Sequence, residues 1–307
     1  MWWNRFALAL LALEACLGEE IATTLEPEHG EAGPRGDGGG VGGNGGSAWS
    51  GAGGDSGMGG RDAAVARDAA VEVDARSPDA ADRPDGSRSG YDPCPPAGMP
   101  CQIMPLGDSI TAGLFSMDGG GYRTPLFRMT LKAGQRITFV GTASSGPISV
   151  DGVPFPRQNE GHGGNVIDQI SALVTNALTG HQPQIVTLMI GTNDINLHLD
   201  LPNAPARLGG LLDKITTTAP NALLVVALVI PSQSGNPDIT QFNADARTQI
   251  TDRITAGQHV VLVDMFGAFS ANPQYAKAWM YDNLHPNDAG YAVMADVWYR
   301  AIGAFLR

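Results

Sequence analysis

Four short stretches carry residue types that could do chemistry together. In Gly107-Asp108-Ser109-Ile110-Thr111 a serine follows an apolar run directly. A serine in such a strand-to-helix turn presents its hydroxyl at the end of the strand. Its own N–H lies among the unpaired donors of a helix start, where negative charge is stabilised. That suits a nucleophile which also helps to hold an oxyanion. A plain turn with a helix N-cap accounts for the same three residues equally well. In Asp282-Asn283-Leu284-His285-Pro286 the spacing lets one loop present a base and the carboxylate that orients it. Asp282 can accept from one ring nitrogen of His285, which leaves the other to take a serine proton. The alternative is a helix-start acid beside a surface histidine. In Gly191-Thr192-Asn193-Asp194 the Asn193 amide can donate to a developing oxyanion, or the stretch is a turn whose side chains bond their own backbone. In Glu160-Gly161-His162-Gly163-Gly164-Asn165 the glycines let a substrate oxygen approach backbone N–H groups, unless the stretch is only a flexible loop.

Other residues near these stretches have blander readings. His162 is a candidate for substrate contact, with a structural hydrogen bond as the alternative. Asp108 is a candidate for substrate contact, although a turn acid suits it better than a second base. Tyr122 and Arg123 fit packing and pairing at a helix start. Trp279, Met280 and Tyr281 suit either an apolar cleft wall or the core, and His181, His198 and His259 read as loop residues.

These residues need elements to position them. Five short apolar runs, 103–106, 137–140, 185–190, 223–230 and 260–263, are each bounded by Gly, Pro, Asn or Asp. Helical patterns fall between or after them, near 121–133, 165–179, 204–218, 240–256 and 287–306. This alternation predicts an α/β fold: a three-layer α/β/α sandwich around a five-stranded parallel sheet, covered on both faces. Ligands in such folds bind beyond the carboxyl ends of the strands, and the first and third runs each end at a candidate stretch.

The order Ser109, Gly164 (or Gly163, one residue earlier), Asn193, then Asp282 and His285 resembles that of the SGNH (GDSL) hydrolases. The resemblance runs from Ile103 to the C-terminus. It implies a flavodoxin-like SGNH hydrolase fold and ester hydrolysis. Ser109 would be the nucleophile, His285 its base and Asp282 the orienting acid. The oxyanion would be held by Ser109, Gly164 and Asn193. A narrower likeness, to carbohydrate esterase family 3, rests on 104–111, on Gly120-Gly121-Tyr122-Arg123, on Phe139-Val140-Gly141 and on Glu160-Gly161-His162. It implies deacetylation of an acetylated polysaccharide such as xylan. Asn165 stands where that family often carries an aromatic. A lipase or lysophospholipase of the same fold, a peptidoglycan O-acetylesterase and a non-catalytic tethered carbohydrate-binding lipoprotein are the rival expectations.

The N-terminal part has a different texture. Residues 1–94 hold 16 acids and 7 bases, so most of the net charge of −12 lies there. The remainder is nearly neutral and has no basic stripe, which argues against a nucleic-acid partner. Arg5 precedes an apolar run, 6–13, too short to span a bilayer. The run ends in Leu13-Glu14-Ala15-Cys16, which resembles the lipobox of bacterial lipoproteins and would make Cys16 a lipidation site. An ordinary secretory signal or a buried helix are the alternatives. Residues 17–93 read as a disordered Gly-, Ala- and Asp-rich linker, and 94–307 as the catalytic domain. The expected location is therefore outside the cytoplasm, secreted or surface-anchored, as a monomer. If Cys16 carries lipid, Cys94 and Cys101 remain to pair, or to stay as free thiols. No cluster has metal-ligand spacing and no phosphate loop follows a strand, so neither metal nor cofactor is expected.

Overall fold

The computed structural model describes residues 91–307. The expected signal, Cys16 and residues 17–90 of the expected linker lie outside the described residues. The strands in chain order are β1 (Cys101–Gly107), β2 (Ile137–Phe139), β3 (Ala143–Ser144), β4 (Ser149–Val150), β5 (Val153–Pro154), β6 (Gln158–Gly161), β7 (Ile185–Met189), β8 (Leu223–Ala227) and β9 (Val260–Val263). The helices are α1 (Ser109–Ala112), α2 (Arg123–Lys132), α3 (Ile167–His181), α4 (Thr192–Asn196), α5 (Ala204–Thr218), α6 (Pro237–Thr255), α7 (Met265–Ser270), α8 (Tyr275–Ala278) and α9 (Asp288–Ile302).

The five apolar runs all supply strands, and all five are parallel. Two short strands extend the sheet. β6 pairs in parallel with Leu106 and Gly107, on the edge of β1 whose other half is taken by β2, and β3 pairs antiparallel with β6. The segment Gln158-Asn159-Glu160-Gly161 has no apolar side chain, so hydrophobic patterning gives no sign of β6. Its position has a consequence: β1 lies between β6 and β7, so the loops after all three open side by side.

Alternate residues of the sheet feed two cores. Ile103, Ile185, Val225 and Val263 face the side covered by α2, α7 and α9. Met104, Leu106, Val186, Leu188 and Val226 face the side covered by α3, α5 and α6. The helices form because their apolar residues recur on one stripe. In α9 the buried positions are Tyr291, Met294, Ala295, Trp298 and Ile302, and in α3 they are Ile167, Ile170, Val174, Ala177 and Leu178. Burying each large side chain is worth about 1.5–3 kcal/mol. Helix α6 begins at Pro237, three residues before the expected start, because Asn236 accepts from the Asp238 N–H and proline suits the first turn.

Folded contacts also begin earlier than the expected boundary at 94. Tyr91 stacks on His259 with ring centroids 3.6 Å apart, and Asp92 pairs with Arg307. Cys94 and Cys101 form a disulfide with Cα atoms 5.1 Å apart, which pins the entry into β1.

Gly161 ends β6 against α1. A Cβ there would lie 2.3 Å from the Ala112 nitrogen, so the backbones approach as only glycine allows. Gly161→Ala should therefore destabilise the domain by about 1–3 kcal/mol. Thermal melting should show Tm lower by about 3–10 °C, and an unchanged Tm would contradict this packing.

Candidate active site

The Asp282–His285 loop is built by its own side chain. Asp282 Oδ1 accepts from the backbone N–H of Leu284 (2.8 Å) and of His285 (2.7 Å), which curls the chain into a tight turn. The same curl brings the His285 ring back over the carboxylate, with Nδ1 2.9 Å from Oδ2. With Nδ1–H donated to Asp282, Nε2 is left as an acceptor. It lies 2.9 Å from Ser109 Oγ. The Tyr281 N–H donates to the His285 carbonyl at 2.8 Å, which closes the base of the loop. Pro286 lies just before the cap of the last helix. It bridges antiparallel to Met280, while Asn287 caps α9 through Ala289 and Gly290.

Ser109 opens α1, so its N–H belongs to a first helical turn. On one side the ladder of β1 and β6 continues past the strands. The His162 N–H donates to the Gly107 carbonyl at 2.9 Å, and this carries the two glycines to the serine. A Cβ on Gly163 would lie 3.9 Å from Ser109 Cβ, and Gly164 has φ +77°. On the other side Asn193 sits in the first turn of α4 after β7, and its Nδ2 donates to the Asn165 carbonyl at 2.9 Å. An amide has two N–H groups, and this bond uses one of them. The two loops are stitched a second time by Asp194, which accepts from the Ile167 N–H (3.0 Å) and from Arg207 (2.7 Å). Asp194 is fully buried, and sequence reasoning missed this brace. Burial pushes its carboxyl up, against the pull of Arg207.

Residues 106–293, more than half of the chain, match the GDSL-like lipase/acylhydrolase family. The chain belongs to that family. Among solved structures it is similar to a family 3 carbohydrate esterase of Clostridium thermocellum. That match has TM-score 0.60 and 34% identity, over 67% of this chain and 98% of that one. A family 3 carbohydrate esterase of Talaromyces cellulolyticus, at TM-score 0.57, 23% identity and the same coverage of both chains, shares the fold. A multidomain esterase of Ruminococcus flavefaciens is 29% identical over 232 residues, 67% of this chain and 29% of that protein. An acetylxylan esterase of Geobacillus stearothermophilus is 24% identical over 157 residues, 47% of this chain and 71% of that protein. The chain thus spans under a third of the Ruminococcus protein, and 56% of a putative endoglucanase X of Acetivibrio thermocellus to which it is also similar.

Within this GDSL hydrolase fold the other candidate residues separate by depth. Asp108, a candidate for substrate contact or a turn acid, has no exposed surface. Its Oδ1 accepts from the Ile110 N–H at 2.9 Å, so it caps the helix that carries the serine. His162 stays half-buried at the cleft rim and bonds Glu160 at 2.6 Å. Burial works against ionised Glu160, but His162 and the Thr142 backbone outweigh it and hold the carboxyl below its usual range. Arg123 is buried and donates to the carbonyls of Thr111, Ala112, Ser145 and Arg157. Burial pulls its guanidinium down to about 10. It therefore pins the segment after Ser109 to the β3–β6 edge. Trp279 packs edge-on against Phe269 and Met280 is buried, whereas Tyr281 reaches solvent.

Asp282 and Asp108 respond to pH in opposite ways. Burial raises the Asp282 carboxyl, but the His285 and Leu284 N–H groups and the imidazole bring it below its ordinary value. Its contribution to stability is present at neutral pH and is lost as pH falls through the acid range. Burial pushes Asp108 up from 3.8 to about 6. An acid raised on folding favours the folded state below its unfolded value and disfavours it once ionised. Stability is therefore lost as pH climbs from about 4 to about 6, by on the order of 3 kcal/mol. Asp108→Asn keeps an acceptor for Ile110 and removes the charge. Its Tm should exceed that of the wild type by about 5–10 °C at pH 7.5, and the gap should close toward pH 4. A gap independent of pH would show that Asp108 is not the strained acid.

Proposed function

We propose that this chain is a serine esterase that removes acetyl groups from carbohydrate, acting on an acetylated polysaccharide of the xylan kind. The observation that carries the chemistry is the line Asp282–His285–Ser109, with successive contacts of 2.9 Å and 2.9 Å. His285 Nε2 takes the Ser109 proton as Oγ attacks the acetyl carbonyl carbon. The tetrahedral oxyanion is held by the N–H of Ser109, an N–H of the Gly163–Gly164 pair and the Asn193 amide. The carbon–oxygen bond to the sugar then breaks, and His285 returns the proton to the leaving sugar oxygen. Water, deprotonated by His285, attacks the acetyl-serine and releases acetate and the free hydroxyl. No redox partner is needed at any step.

The substrate reading is supported by the likeness to the Clostridium thermocellum family 3 carbohydrate esterase over nearly all of that chain. The acetylxylan esterase from Geobacillus adds to it. The apolar leader at 6–13 and the Cys94–Cys101 disulfide favour action outside the cytoplasm, with Cys16 as the site of a lipid anchor. No helix among the described residues is long and apolar enough to cross a membrane.

Acetate release from acetylated xylan, followed alongside Ser109→Ala, tests the reading. The variant should fold as the wild type does and lose turnover, whereas undiminished release would remove Ser109 as the nucleophile. Asn193→Ala should lower kcat about 10²–10³-fold with little change in KM, since the amide acts on the charged intermediate. A kcat equal to wild type would take Asn193 out of the oxyanion site.

A further inference from the structure

Phe115 follows the serine-bearing helix and Tyr281 immediately precedes Asp282, so each aromatic ring rides on a segment that carries part of the reacting line. The rings stack on each other, with centroids 4.3 Å apart and planes 11° from parallel. Phe115 also meets the His285 imidazole edge-on, at 5.0 Å and 71°. The series therefore begins at the imidazole, passes through Phe115 and ends at Tyr281, which is 60% exposed. Large aromatic rings left in water beside a buried histidine are a cost unless something covers them.

The backbone is set to hold this arrangement. Phe115 has φ 63°, a left-handed conformation that a bulky residue enters only when its surroundings compel it. The Tyr291 hydroxyl donates to the neighbouring Leu114 carbonyl at 2.7 Å and fixes the turn. Tyr281, for its part, is anchored through its backbone to His285, so its side chain has no part in closing that loop.

The chemistry says what lies here. In acyl transfer the histidine hands its proton to the leaving oxygen, so the alcohol half of the ester must sit against the exposed side of the imidazole. We infer that Phe115 and Tyr281 form the subsite for the alcohol half of the ester, and that they take the apolar face of a sugar ring there. This rests on the carbohydrate esterase reading above and adds residues that decide specificity. A pyranose ring presents faces of axial C–H bonds, and the stack carries the exposed Tyr281 ring outward from the imidazole, where a sugar ring of the alcohol half can lay such a face on it. A small alkyl alcohol gains little from the same surface.

Steady-state kinetics on acetylated xylo-oligosaccharide and on ethyl acetate, with the full chain, give the test. In Tyr281→Ala the ratio of kcat/KM for the sugar acetate to that for ethyl acetate should fall about five- to tenfold, mostly through KM. Tyr281→Phe should keep the wild-type ratio. Equal loss on both esters would make the ring a prop for His285 and overturn the subsite, and an unaltered ratio in Tyr281→Ala would do the same. Calorimetric binding of the acetylated oligosaccharide to Ser109→Ala, with and without Tyr281→Ala, separates the two readings. If the wild type cleaves no ester while binding still weakens without Tyr281, the esterase reading fails and the sugar subsite stands. If binding ignores Tyr281, the subsite fails whatever turnover shows.

Discussion

The hydrogen bond from Ser109 Oγ to His285 Nε2 joins residues 176 positions apart, and both are nearly enclosed. Neither end could hold it alone. Ser109 is fixed because β1 runs through the centre of a parallel sheet and stops where α1 begins. His285 is fixed because Asp282 both turns the loop and grips the ring through Nδ1. A neutral imidazole has one donor nitrogen and one acceptor. Committing the donor to Asp282 therefore commits the acceptor to the serine. The proposed oxyanion donors fit the same topology, since β6 and β7 flank β1 and bring the Gly163–Gly164 and Asn193 loops to either side of Ser109.

Three carboxylates close to this centre differ chiefly in what surrounds them. Asp282 is half-exposed and rich in N–H donors, so it stays charged and steers the imidazole. Glu160 is buried but answered by His162 and Thr142, so it too stays charged and holds the glycine loop. Asp108 is buried with one oxygen left without a partner, and desolvation outweighs what the Ile110 N–H returns. One functional group, the carboxylate, thus gives an orienter, a loop tie and a strained cap, according to how many donors meet each oxygen.

Much of this was legible in the sequence because strands in a doubly covered sheet must be apolar along their length. The runs at 103–106 and 185–190 therefore located the strand ends, and Ser109 and Asn193 follow directly. The Asp-x-x-His spacing was legible because a carboxylate can cap residues two and three ahead of it. What periodicity could not see was anything without a pattern. β6 has no apolar side chain, and it joins the sheet because Gly161 lets α1 come close. The depth of Asp108 was not legible, because a turn acid looks the same in sequence whether a helix buries it or not. Phe115 sits in an irregular turn, where nothing local says that its ring will lie against a histidine far along the chain. Asp194 gave only one hint, an acid in a first helical turn.

Covalent trapping tests the central hydrogen bond most directly. A fluorophosphonate ester is attacked by a serine only when a base takes its proton, and it stays bound to the oxygen. Intact-mass and peptide mass spectrometry after exposure at neutral pH should find one phosphonyl group per chain, on Ser109. Labelling should become very slow in His285→Ala. A label on another residue, or equal labelling of Ser109 without His285, would contradict the account.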